Sequence, residues 1–186
     1  MARRIVLTGG PGAGKSTAVD LIRRELGSSI AVVPEAATLL FRGGLHRTEN
    51  PQARISAQQA IYHVQKNMED IQLALYPGRT LLCDRGTLDG LAYWPEGTEK
   101  SFFDSVGTDF KSEMSRYDTV VFFETAAVGN LSIEDGNSIR VETNERAIQI
   151  DQKLKEIWSQ HPHFHFVGHQ VSFLEKLNDA IYVIRE

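Results

Sequence analysis

An α/β three-layer sandwich, with a five-stranded parallel sheet between helices, is the fold this sequence predicts, and three observations predict it. Short apolar runs alternate along the chain with longer stretches of helical periodicity, the sign of parallel strands joined by crossover helices. A glycine-rich segment ending in Lys-Ser follows the first apolar run directly and opens an amphipathic stretch. An aspartate stands immediately after the third apolar run. The 186 residues suit one domain. No repeat, low-complexity tract or Gly/Ser/Pro-rich linker divides them. The expectation is a single domain over residues 1–186, with a lid segment at about 126–145.

The elements follow in order. The first strand is Arg4–Thr8, and the helix over 16–26 sets Val19, Ile22 and Leu26 on one face. Ile30–Val33 is the second strand. The stretch 52–75 carries Ala57, Ala60, Ile61, Val64, Met68, Ile71 and Leu75 at steps of three and four, which predicts a long helix buried along that stripe. Thr80–Cys83 and Thr119–Phe123 are the third and fourth strands. A helix over 144–159 follows, with Ala147, Ile150, Leu154, Ile157 and Trp158 as its core face. His163–Val167 is the fifth strand. The last helix opens at Ser172 with Glu175 three residues on, the spacing of a capping box, and is expected to bury Leu174, Leu177, Ile181 and Ile184.

Composition narrows the class of function. Hydrophobic residues at 41% and charged residues at 24% are globular values and exclude a wholly disordered chain. Twenty Lys plus Arg against 24 Asp plus Glu give a net charge of −4, which argues against a nucleic-acid partner. The single cysteine, Cys83, allows no intramolecular disulfide and no cysteine-based zinc cluster. No run approaches the ~18 apolar residues of a membrane span, so no transmembrane segment and a cytoplasmic location are expected. The cluster His161, His163, His165 and His169 suggests a metal, but it lacks a carboxylate at ligand spacing. With Phe164 and Phe166 on the opposite face, a half-exposed strand explains it better.

The chemistry begins at Gly9-Gly10-Pro11-Gly12-Ala13-Gly14-Lys15-Ser16-Thr17, which fits G-x-x-x-x-G-K-[ST]. Glycines let backbone N–H groups curl around a polyphosphate, and the helix that starts here turns its unpaired N–H groups on the anion. Gly10, Gly12, Ala13, Gly14, Lys15, Ser16 and Thr17 are therefore the candidate nucleotide-binding residues. Lys15 suits the β- and γ-phosphates, the Ser16 hydroxyl suits Mg²⁺, and Thr17 lies toward the α-phosphate. Asp84, at the end of the third strand, is the second candidate for Mg²⁺; a strand-terminal aspartate also caps turns. No N-K-x-D guanine-reading motif is present, and the chain is short for a motor ATPase. Small-molecule and nucleotide kinases remain, so the expectation is a P-loop kinase-type NTPase using ATP, with GTP possible, and Mg²⁺.

Three segments carry a resemblance: Arg4–Thr17, Val33-Pro34-Glu35-Ala36-Ala37, and Asp84-Arg85-Gly86-Thr87-Leu88-Asp89-Gly90. Together they are similar to the P-loop family that joins the NadR nicotinamide riboside kinase domain with proteins like the TRPL translocation defect protein. More distantly they resemble the deoxynucleoside kinases. The resemblance implies phosphoryl transfer to a nucleoside-like acceptor in part of the family. In another branch it implies a nucleotide-binding regulator with a lipid-headgroup or protein partner.

It also assigns candidates. Glu35 matches a carboxylate that takes the acceptor hydroxyl proton, with capping of the next helix or pairing with Arg85 as the other reading. Arg85 matches an arginine that contacts phosphate, within a D-R-S segment where this chain has Gly86. Gln58 or Gln59 matches a base-reading glutamine, with a solvated helix face as the other reading; Arg54 suits an anionic acceptor group or is a surface charge; Asp89 and Tyr93 lie where an acceptor ribose would be held, or in a surface turn. Arg140, with Arg146 second, is the candidate lid arginine that would neutralise the transferring phosphoryl, a solvent-facing charge or a pair with Glu142 or Glu145 being the other reading. His169 or Phe173 lies where related kinases wrap the adenine. The expected partners are a nucleoside triphosphate and a small-molecule acceptor; a simple NTPase with water as acceptor is the third reading.

Overall fold

A computed structural model describes residues 2–95, 99–129, 144–169 and 172–186. The strands are β1 (Arg4–Thr8), β2 (Ile30–Val33), β3 (Thr80–Asp84), β4 (Thr119–Phe123) and β5 (Phe164–Val167). The helices are α1 (Lys15–Leu26), α2 (Ala36–Arg42), α3 (Pro51–Leu75), α4 (Gly90–Tyr93), α5 (Glu99–Val106), α6 (Phe110–Met114), α7 (Asn144–Trp158) and α8 (Phe173–Arg185). All four strand pairings are parallel and the sheet order is β2-β3-β1-β4-β5, the predicted α/β architecture. Because β1 is central, the loop after it opens where the chain first runs out toward β2 and later returns past β1 to β4. That crevice at the carboxyl ends of the strands is where open α/β sheets bind ligands.

Alternation along β1 divides the core. Ile5 and Leu7 point to one face, where α1 contributes Ala18, Val19 and Ile22, and α8 contributes Leu177, Ala180 and Ile184. Val6 points to the other, against Ile150, Leu154 and Trp158 of α7 and Met68 and Leu73 of α3. A smaller cluster of Tyr62, Trp94 and Phe102 joins α3 to α5.

The helical stripe expected for α3 is displaced. Ile71 and Leu75 are 54% and 63% exposed, and the buried residues are Ala57, Tyr62, Gln65 and Glu69. The inward face of α3 meets polar groups rather than the sheet alone. Glu69, fully buried, accepts from Tyr117 Oη (2.8 Å), Arg116 Nη2 (2.8 Å) and Gln65 Nε2 (3.2 Å). Those bonds satisfy a carboxylate that would otherwise be costly to bury. Asn50 caps the helix through Ala53 N–H, with Pro51 at its first position. In α8, Leu174 is 65% exposed rather than buried, because the inward stripe runs through Lys176, Leu177, Ala180 and Ile184. Ser172 caps that helix by accepting from Leu174 N–H.

Candidate active site

The phosphate loop has the form its sequence requires. Gly9 sits at φ +133°, and a Cβ there would strike the Phe123 carbonyl oxygen. Gly14, at φ +83°, precedes α1, and a Cβ there would press into the Phe173 ring. The first turn of α1 has no acidic residue and Gly14 supplies no side-chain cap, leaving its N–H groups for an anion. Lys15, buried, donates to the Gly9 and Gly10 carbonyls (2.7 and 2.8 Å), while Ser16 and Thr17 are exposed.

Three residues that sequence reasoning missed hold this loop from behind. Asp151 of α7 accepts from Gly10 N–H (2.8 Å) and Thr125 N–H (3.0 Å). Thr125 Oγ1 donates to the Pro11 carbonyl, and Lys176 Nζ donates to the Glu124 carbonyl (2.6 Å) and reaches the Ala13 carbonyl of the loop (3.5 Å). Each lies more than a hundred residues from the loop, so no local spacing could have announced them.

Ser16 Oγ donates to Asp84 Oδ2 (2.9 Å), bringing the two expected metal ligands together. Asp84 Oδ1 is buried and has no hydrogen-bond partner among the described residues. Burial, reinforced by the Glu35 carboxylate, pushes the Asp84 carboxyl up to about 6. An orphaned carboxylate oxygen beside a serine hydroxyl fits a hard divalent cation, which takes its other ligands from water and phosphate. No cluster of three or more His, Cys, Asp or Glu side chains able to hold a metal occurs among the described residues, the histidine-rich strand included. His161 instead is buried, with Nε2 against the Tyr117 carbonyl (2.8 Å) and Nδ1 accepting from His163 N–H (3.1 Å).

Next to this pair lies a carboxylate–guanidinium array. Arg85 Nε donates to Glu35 Oε1 (2.5 Å) and Arg85 Nη1 to Asp89 Oδ2 (2.9 Å). Thr38 Oγ1 donates to the other Glu35 oxygen. Burial alone would raise Glu35, but Arg85, the Thr38 hydroxyl and Lys15 outweigh it and hold the carboxyl at about 2. Asp89, also buried, has both oxygens engaged by the protein itself: Thr8 Oγ1 (3.0 and 2.9 Å), Trp158 Nε1 (2.8 Å) and Arg85.

Arg85 is the one non-glycine residue with positive φ (75°) among the described residues, a conformation that costs roughly 1–3 kcal/mol. Its backbone is held on both sides. Gln65 Nε2 donates to the Arg85 carbonyl (3.1 Å), and Gln65 is braced by Glu69. Thr87 N–H donates to Tyr117 Oη (2.8 Å), whose hydroxyl in turn donates to Glu69. The polar stripe of α3 thus explains its displaced burial: it supports the turn that aims Arg85.

Gly86, where the resembling kinases carry serine, is explained by packing. A Cβ at Gly86 would lie 2.7 and 2.8 Å from ring atoms of Trp158. Gly86→Ser is therefore expected to destabilise the fold by about 1–3 kcal/mol, read as a lower urea midpoint at unchanged m-value. An unchanged midpoint would show that the indole yields freely.

A cavity of about 580 Å³ opens from Pro11 and the Glu35–Arg85 pair. Its walls include Arg54, Gln58, Asp89 and Tyr93 from the expected residues, and Arg146 and Ile150 from α7. Gln59 is not among them. Arg54 Nη2 donates to the Tyr93 carbonyl (2.7 Å). Phe41, Tyr62, Gln65 and Thr87 line it without having been singled out. Gln58, Tyr62 and Gln65 recur at helical spacing, so periodicity applied to polar residues would have found two of them. Of the expected lid, Ala126–Gly129 forms a short turn and α7 begins at Asn144; residues 130–143, with Arg140, lie outside the described residues. His169 N–H donates to Glu124 Oε2 (2.6 Å), and its ring packs over Gly129, while Phe173 covers Gly14.

A parallel sheet with this loop at its centre defines a class: the P-loop nucleotide-binding fold in its kinase form. A family model described as AAA domain matches residues 4–173, and the chain belongs to that family. No curated protein matches it by sequence. Among solved structures, the deoxyadenosine kinase from M. mycoides with bound dATP is similar in fold. The TM-score is 0.68 at 15% identity, covering 98% of this chain and 100% of that one. The resemblance to P-loop kinases, including a distant likeness to deoxynucleoside kinases, is borne out at the level of family and fold. Among the described residues no helix is long and apolar enough to cross a membrane.

Proposed function

We propose that this protein is an ATP- and Mg²⁺-dependent phosphotransferase that acts on a hydroxyl of a small nucleoside-like metabolite. The observation that carries the reading is the Glu35–Arg85–Asp89 array set between the phosphate loop and a cavity of about 580 Å³. Hydrolysis by water needs no cavity of that size, whereas a bound acceptor does.

Lys15 and the loop N–H groups hold the β- and γ-phosphates of ATP, Lys15 leaving the two carbonyls that engage it here. Ser16 and Asp84 hold Mg²⁺, which neutralises charge on the phosphate oxygens when bound. Glu35 receives the hydrogen bond of the acceptor hydroxyl. At about 2, its carboxyl is a weak base while Arg85 grips it. Arg85 turning its planar fork to the transferring phosphoryl weakens that grip, so Glu35 becomes more basic as charge develops. Asp89 and Gln65 keep Arg85 within reach of both positions. Gln58 and Arg146 line the cavity, where Gln58 would meet the acceptor and Arg146 the transferring phosphoryl group; Arg140 of the expected lid would serve the same charge.

Thermal-shift titration with ATP or GTP, each with and without a panel of nucleosides, tests this. Synergistic stabilisation by ATP and one nucleoside is expected, because the two ligands meet across one site. Stabilisation by GTP alone, with no phosphorylated product from any acceptor, would favour a regulatory NTPase instead.

A further inference from the structure

One peptide group joins three charged side chains of the site. The Gly9 carbonyl accepts from Lys15 Nζ at 2.7 Å and from Arg85 Nη1 at 3.4 Å. A trans peptide holds its C=O and N–H in opposite directions, so the N–H of the same group, that of Gly10, points away from both cations. Asp151 Oδ1 meets it there at 2.8 Å. Asp151 is buried, and the same oxygen accepts from Thr125 N–H at 3.0 Å, which anchors the carboxylate to the segment after β4. Gly10 stands where the loop motif leaves the residue open, and Asp151 accounts for the glycine. A Cβ there would lie 2.6 Å from Asp151 Oδ1 and 2.7 Å from its Cβ. With glycine on both sides, the peptide meets little steric resistance to rotation, and Asp151 supplies a hold that no side chain at 9 or 10 can. Rotated, it would turn an N–H on Lys15 in place of a carbonyl.

The same helix reaches the second cation. Seven residues on, two turns along one face of α7, Trp158 Nε1 donates to Asp89 Oδ1 at 2.8 Å, and Asp89 Oδ2 accepts from Arg85 Nη1 at 2.9 Å. One helix therefore braces Lys15 through the Gly9–Gly10 peptide and Arg85 through Asp89. We propose that Asp151 is a positioning residue for phosphoryl transfer: it holds the Gly9–Gly10 peptide in one orientation in the free and the nucleotide-bound protein, and so keeps Lys15 in register with Arg85 at the transferring phosphoryl. The roles of Lys15 and Arg85 rest on the kinase reading; the hold on the peptide rests on the geometry alone. Gly10 N–H then belongs to Asp151, and the phosphates take their N–H groups from the rest of the loop and the first turn of α1.

The full chain is tested with γ-labelled ATP, Mg²⁺ and the nucleoside panel, counting label that leaves ATP for acceptor and water together, so that Asp151 is judged whichever fate the phosphoryl has. Asp151→Ala, assayed where circular dichroism shows it folded, should lower kcat about 10–100-fold and change the KM for ATP only a few-fold, as a misplaced charge does. Asp151→Asn keeps a carbonyl oxygen for both N–H groups and should restore most of the rate. A residue that only supported the fold would lower the unfolding midpoint and leave kcat per folded molecule as it was. That result overturns the proposal, as does an Asn variant no faster than Ala. Amide hydrogen exchange of the parent protein needs no variant: Gly10 N–H is expected to be protected both with and without a non-hydrolysable ATP analogue. Free exchange of Gly10 N–H without nucleotide, with protection only when it is bound, would make that group a phosphate donor and overturn the proposal. Label from the parent reaching water but no acceptor overturns the phosphotransferase reading alone, and leaves Asp151 standing or falling on the same ratios.

Discussion

Asp84→Asn is expected to lower phosphoryl transfer roughly 10²–10³-fold, the usual scale for removing one preorganised charge contact from a transferring group. The amide keeps the shape of the side chain and can still accept from Ser16, whose hydroxyl now donates at 2.9 Å. What it loses is the charge that, with Oδ1 left over in the buried rim, suits the position to the cation of the proposed reaction. Nucleotide binding in the absence of Mg²⁺ should therefore persist, since Lys15 and the loop N–H groups are untouched.

The same residue sets a pH dependence. Burial raises the Asp84 carboxyl from the ordinary 3.8 to about 6. Its contribution to stability is present below about 4 and is lost as pH rises through about 6, because ionisation in the folded protein is unfavourable. Mg²⁺ must displace that proton, so Mg²⁺ affinity should fall about tenfold per unit below pH 6 and level off above it. Asp84→Asn should abolish this slope and be at least as stable as the parent at pH 7. Loss of activity together with loss of stability would point to a structural role instead.

Glu35→Gln should lower the rate of transfer by about 10²–10⁴-fold with the KM for ATP changed only a few-fold. Glu35 lines the cavity, and its hydrogen-bond partners are Arg85 and Thr38 rather than the loop N–H groups, which is why the effect should separate into kcat. The substitution also removes one of the two carboxylates that balance Arg85. Because Glu35 is held at about 2, its stabilising contribution is present above about 4.5 and lost as pH falls through about 2. The variant should accordingly be less stable than the parent at pH 7, with the difference vanishing in strong acid. Near-normal transfer by Glu35→Gln would confine Glu35 to pairing with Arg85.

The sheet, the phosphate loop and the helix after it were legible in the sequence because each rests on local pattern. Short, near-continuous apolar runs mark strands buried on both faces, and the glycines and Lys15 are bound to a single backbone form. The meeting of Ser16 and Asp84 was legible too, since Ser16 opens the helix after β1, Asp84 ends β3, and a parallel sheet brings both to one rim. The stripe of α3 was misread because a hydrophobic count sees Ile71 and Leu75 but not Gln65 and Glu69, whose burial depends on Tyr117, Arg116 and the Arg85 turn. Asp151, Thr125 and Lys176 reach the phosphate loop only through the tertiary fold. Asp89 was visible as a site residue, yet its partners Thr8 and Trp158 show it bracing Arg85 from within. The Gly86 departure, obscure in sequence, follows from the indole packed over it.

The most direct measurement is the fate of a radiolabelled γ-phosphate. The protein is incubated with labelled ATP, Mg²⁺ and the acceptor panel, and the label is partitioned between acceptor and inorganic phosphate. The expected result is label on the hydroxyl of one acceptor class, far in excess of released phosphate, and selectively lost in Glu35→Gln. Label appearing only as inorganic phosphate, whatever acceptor is present, would mean that water fills the place assigned to the acceptor and would contradict the phosphotransferase reading.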